Sequence, residues 1–118
     1  MKDVEELHIY KQYITLIFYT ENIVEKYPKH EKNSLVSIIK NITYDGMKNV
    51  LEAYKYFDKS DKLTSLNSLD INLKMLKILI RISYKKKYIS IKNYKAWSKK
   101  IYNIGNMLGG WITSCVKA

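Results

Sequence analysis

Apolar residues recur along this chain at helical spacing, and few residues interrupt them. Pro28 is the only proline, and the four glycines stand at Gly46, Gly105, Gly109 and Gly110. Long stretches without breakers favour long helices. The pattern predicts four. The first runs from about Val4 to Tyr27, because the residue before a proline avoids the helical region. The second runs from about Glu31 to Phe57. The polar segment Asp58-Lys-Ser-Asp-Lys62 interrupts the pattern, and a third helix runs from about Leu63 to Lys86. Ser90 is placed to cap a fourth, about Ile91 to Val116, by accepting a backbone N–H bond. Tyr88 and Ile89 are too few to make a sheet. The expectation is an all-α chain folded as one antiparallel four-helix bundle over residues 1–118.

The fourth helix has the cleanest period. Tyr94, Trp97, Ile101, Ile104, Leu108, Trp111 and Cys115 alternate steps of three and four, which is a heptad seam facing a neighbouring helix. Gly105 and Gly109 lie one turn apart on this helix, so tight helix packing is expected there, close to Trp111.

The third helix has too much apolar surface for a simple bundle. Leu66, Leu69, Ile71, Leu73, Met75, Leu76, Ile78, Leu79, Ile80 and Ile82 cover about 240° of its circumference at 100° per residue. An ordinary surface helix needs little more than about 100°. The excess predicts a subunit interface, assigned to Ile71, Met75, Ile78 and Ile82. The polar remainder is a narrow strip of Asp70, Lys74, Lys77, Arg81 and Lys85.

Charge follows the same division. Residues 1–57 hold 8 Lys and 8 acidic residues, so the whole-chain net charge of +10 resides in residues 58–118. A bias towards A- and T-rich codons accounts for lysine in place of arginine. It does not account for glutamate ending at Glu52 while lysine continues. Lys92, Lys95 and Lys99 fall on one face of the fourth helix and flank the loop of Lys85, Lys86 and Lys87. Together with the third-helix strip they predict one cationic surface that binds phosphates by charge neutralisation and counterion release. Such contacts position a nucleic acid without reading its sequence.

No catalytic site is legible. There is no phosphate-binding glycine loop and no nucleophile elbow. His8 and His30 lack metal-ligand spacing, and no metal or cofactor is expected. Cys115 sits on the heptad seam and reads as a small core residue. Glu5, Glu6, Glu21, Glu25 and Glu52 read as solvent-facing. Tyr84, Tyr88, Tyr94 and Tyr102 can stack on bases near the lysines, but packing is the commoner use of tyrosine. No run of about 18 apolar residues suggests a membrane span. The start MKDVEELH lacks a signal peptide's apolar stretch, and a lone cysteine fits the cytoplasm.

Three runs carry a family resemblance: Leu73-Lys-Met-Leu-Lys-Ile-Leu-Ile-Arg81, Tyr88-Ile-Ser-Ile-Lys-Asn-Tyr94 and Ile104-Gly-Asn-Met-Leu-Gly-Gly-Trp-Ile112. With Lys26-Tyr-Pro-Lys29, they resemble the accessory variability determinant (Avd) proteins of diversity-generating retroelements. The resemblance implies a bundle assembling as a homopentameric barrel. It also implies binding to the retroelement reverse transcriptase and its template RNA, possession of no chemistry of its own, and a supporting role in mutagenic reverse transcription. The family's basic third-helix positions map to Lys74, Lys77 and Arg81. Two of these are lysine, which keeps charge and loses bidentate geometry. A related family encoded in intervening sequences of 23S ribosomal RNA genes shares the bundle. Its Ser-Ile-Pro-Ala-Asn-Ile-Ala-Glu-Gly-like stretch is here Ser37-Ile-Ile-Lys-Asn-Ile-Thr-Tyr-Asp-Gly46, without the proline or Ala-Glu. A structural helical oligomer without a nucleic-acid role is the remaining alternative.

Overall fold

A computed structural model describes residues 7–117. Four helices follow one another: α1 (His8–Val24), α2 (Leu35–Lys55), α3 (Lys59–Lys85) and α4 (Ile91–Lys117). A short 3-10 turn, Lys29–Glu31, lies between α1 and α2. Among the described residues there is no strand, and no helix is long and apolar enough to cross a membrane. The proposed helical residues Val4 to Glu6 lie outside the described residues, and the expectations for Glu5 and Glu6 go with them.

The molecule measures 46 × 25 × 22 Å. Its long axis suits a 27-residue helix such as α3, which is about 40 Å long at a rise of about 1.5 Å per residue. Helix α2 packs on α1 and α3, and α4 also packs on α1 and α3. Helices α1 and α3 therefore stand at diagonal corners and run in the same direction.

The core seam of α4 matches its heptad. Trp97, Ile101, Ile104, Leu108 and Cys115 are buried, with Tyr94 and Trp111 packed at the margin. Trp97 brings the largest fully buried side chain. Its indole Nε1–H donates to Thr20 Oγ1 of α1 at 3.0 Å, so the ring's one polar group is satisfied inside the core.

The ends depart from the expected boundaries for local reasons. Helix α1 ends at Val24, where Lys26 N–H bonds to the Ile23 carbonyl and Tyr27 N–H to that of Val24. Those tighter bonds turn the chain and bury Tyr27 before Pro28 is reached. Helix α2 starts at Leu35 rather than near Glu31, because Lys29–Glu31 takes the 3-10 geometry. Helix α3 starts earlier than expected. Asp58 is its N-cap, its carboxylate accepting from Ser60 N–H at 3.1 Å. The segment Asp58-Lys-Ser-Asp-Lys62 is thus a cap and first turn, and the break is confined to Tyr56 and Phe57. Lys62 reaches back to the Ala53 carbonyl at 2.6 Å and satisfies part of the C-terminus of α2. Ser90 caps α4 as expected, its hydroxyl accepting from Asn93 N–H at 3.1 Å.

Candidate nucleic-acid interface

The basic surface is organised by the turn between α3 and α4. Lys87 takes a left-handed backbone conformation, φ 65°. Its N–H bonds to the Tyr84 carbonyl at 2.9 Å, and Tyr88 N–H reaches that of Ser83 at 3.0 Å. This is the paired hydrogen bonding of a Schellman stop, with lysine where glycine is usual. It reverses the chain within a few residues and holds Lys85, Lys86 and Lys87 together at one end of the bundle.

A buried carboxylate fixes that turn. Glu31 accepts from the Ser34 hydroxyl at 2.6 Å, the Tyr88 hydroxyl at 2.7 Å and Lys86 Nζ at 3.4 Å. The bonds from Ser34 and Tyr88 are the largest causes holding the Glu31 carboxyl down at about 2, with Lys86 adding to them and burial opposing. Glu31 is buried, and nothing in its helical spacing marked it. Its partners lie as far away in sequence as Tyr88. Glu21 and Glu52 also correct the solvent-facing expectation. Glu21 accepts from the Tyr44 hydroxyl at 2.7 Å, and Glu52 from Asn49 at 3.3 Å and Ser65 at 3.5 Å. Glu25 is exposed as expected.

All nine cations assigned to the surface are exposed. Two are engaged. Lys74 pairs with Asp70 at 2.6 Å one turn earlier, and Lys86 pairs with Glu31. Lys77, Arg81, Lys85, Lys87, Lys92, Lys95 and Lys99 have no ion-pair partner among the described residues. The tyrosines divide likewise. Tyr84 and Tyr94 stack on each other at 4.9 Å, and Tyr88 is held by Glu31 and lies 5.3 Å from the Tyr27 ring. Tyr102 alone of the four is strongly exposed, at 61%.

The wide apolar arc of α3 splits in two. Leu66, Leu69, Leu73, Leu76 and Ile80 fill the core. Ile71, Met75, Ile78 and Ile82 remain exposed, Ile71 at 65% and Ile78 at 52%. The bundle therefore leaves part of this helix uncovered, as the arc predicted.

The glycine expectation is corrected. A side chain built at Gly105 or Gly109 would meet nothing within 4 Å, so no helix of this chain packs closely there. Trp111, on the neighbouring seam, is half-buried against the core. The close approach is at Gly46 of α2, where an added Cβ would overlap the Tyr13 hydroxyl. Among the described residues no cluster of His, Cys, Asp and Glu is arranged to hold a metal ion.

A profile of the bAvd-like family matches residues 7–115, nearly the whole chain. The chain belongs to the bAvd-like family. No curated protein sequence matches it. A solved structure shares the fold. It is a protein of unknown function from the S23 ribosomal protein family of Bacteroides thetaiotaomicron, similar at a TM-score of 0.82 and 14% identity over 89% of this chain and 95% of that one. At that identity the likeness concerns the backbone.

Proposed function

We propose that this bAvd-like protein is a non-enzymatic scaffold. It assembles as a homo-oligomer, with five subunits the expectation, and binds RNA, and DNA as well, through its basic surface. In this reading it also holds a retroelement reverse transcriptase near the template and supports mutagenic reverse transcription without doing chemistry itself. The observation that carries the reading is the set of exposed cations, unpaired among the described residues, on α3, the following turn and α4. Lysines on flexible stems attract phosphate and read few base edges, so binding is non-specific in sequence. A ring would repeat the surface and add weak contacts through multivalency.

A protein partner needs apolar surface, and the end of the bundle away from the basic turn supplies it. A groove of about 970 Å³ is lined there by Leu7, Ile9, Leu51, Tyr54 and Trp111, with Phe57 on its rim. Phe57 is 91% exposed, which is unusual for phenylalanine in a folded domain.

Binding of a labelled single-stranded RNA, titrated with salt, tests the reading. Affinity is expected to fall steeply as salt rises, and to depend little on RNA sequence. Absence of binding at low salt would remove the nucleic-acid role and leave a structural oligomer whose charge serves solubility.

A further inference from the structure

The outward face of α4 carries cations and one free aromatic ring. Lys92, Lys95, Lys99, Tyr102, Asn103 and Asn106 are all exposed. At about 100° per residue they fall on the side of the helix opposite Trp97, Ile104 and Leu108, which are buried. From Lys92 to Asn106 the face is about 21 Å long, at about 1.5 Å per residue. No Asp or Glu occurs between Ile91 and Lys117. The strip on α3 differs, because Asp70 there pairs with Lys74. Lys100 is turned away from the face, with its Nζ 4.8 Å from the centre of the Tyr19 ring.

Tyr102 is not packed by its own helix. Residues three and four positions away are neighbours on a helix surface. For Tyr102 they are Ser98, Lys99, Gly105 and Asn106, none of them large and apolar. A side chain built at Gly105, or at Gly109 one turn further on, would meet nothing within 4 Å. The ring, 61% exposed, therefore stands beside open space. The tyrosines near the basic turn have no such room. Tyr84 and Tyr94 stack on each other, and Tyr88 is bonded to Glu31.

We infer that the outward face of α4 is a track for single-stranded nucleic acid, with Tyr102 as the platform on which an unpaired base stacks. Phosphates lie along Lys92, Lys95 and Lys99, and the strand continues past the ring over Asn106 and the open glycine surface. Every base has a π-face, so stacking adds affinity without reading sequence. Bases paired in a duplex present their edges to a groove and keep their faces in the stack, out of reach of the ring. An acidic protein surface would use the lysines alone. The exposed ring, with room beside it for a flat group, favours a base. The inference rests on the nucleic-acid reading above and adds to it a preference for unpaired strands and the residue that carries it.

Tyr102→Leu and Tyr102→Trp test it with three probes: a single-stranded RNA, the same RNA in a duplex, and an abasic phosphodiester strand of equal length. Position 102 is exposed and leucine favours helix, so circular dichroism should show the variants folded. The wild type is expected to bind the base-bearing single strand more tightly than the abasic one. Tyr102→Leu is expected to lower affinity for the base-bearing strand about tenfold at an unchanged salt slope, because stacking is lost and phosphate contacts are kept. Its affinities for the duplex and the abasic strand should not change, and Tyr102→Trp should bind like the wild type. If Tyr102→Leu binds the single strand as the wild type does, or loses duplex binding equally, the track is overturned while the nucleic-acid reading stands. A change in oligomer mass for Tyr102→Leu would set the ring against a second copy and overturn it as well. A wild type that binds no RNA overturns both.

Discussion

Tyr13 occupies the space that a side chain at position 46 would need. Its hydroxyl donates to the Thr43 carbonyl at 2.6 Å, and the ring is fully buried between α1 and α2. Only glycine allows α2 to pass this close. Gly46→Ala must push Tyr13 aside and strain or break its bond, so a loss of about 1–3 kcal/mol is expected. Thermal melts of Gly46→Ala, Tyr13→Phe and the double variant check it. The two changes should not add, because removing the hydroxyl takes away the closest overlap and leaves the ring carbon Cζ, 2.7 Å from the added Cβ, as the remaining one.

Gly105 and Gly109 should behave oppositely. Their outward space is open, so alanine meets no neighbour and gains helix propensity. Each single Ala variant is expected to gain up to about 1 kcal/mol and melt at higher temperature. A fall in melting temperature for both would show that something covers this face.

Lys87 stores strain at the basic turn. Its left-handed backbone is costly for any residue with a Cβ, and Lys87→Gly should stabilise the bundle by about 1 kcal/mol. The same change removes a cation, so stability should rise while RNA affinity falls. A melt and a binding curve on one sample separate the two effects.

Glu31 predicts acid sensitivity. Its carboxyl is lowered from 4.5 to about 2 by the bonds from Ser34 and Tyr88. A depressed folded pKa stabilises above the unfolded value, and that contribution is lost as pH falls through the folded one. Stability is therefore expected to drop between about pH 4.5 and pH 2, and Glu31→Gln should flatten that part of the profile. Urea melts across this range report both.

Helix number, the α4 seam and the excess arc of α3 were legible because each is a local period. Trp97 and Ile104 follow from spacing alone. Asp58 was misread because a polar run looks like a break whether it ends a helix or caps one. Glu31 and Gly46 were not legible for a different reason. Their roles depend on Tyr88 and Tyr13, which are brought to them by packing and not by any short-range pattern. The Gly105 and Gly109 spacing misled in turn, since one-turn separation places two glycines on a face without saying that anything lies against it. The cations of the candidate interface were legible as a stripe, whereas the withdrawal of Lys74 and Lys86 into ion pairs needed the structure.

The salt dependence of RNA binding tests the central claim most directly. Lys92, Lys95 and Lys99 face outward on α4 and have no ion-pair partner among the described residues. Changing all three to Gln removes up to three phosphate contacts per subunit without touching the core. At about 0.7 per contact on single strands, the slope of log affinity against log salt should become shallower by about two units per site. Affinity at low salt should fall with it, and the oligomer should remain. A folded, assembled triple variant that binds RNA with unchanged affinity and slope would contradict the account.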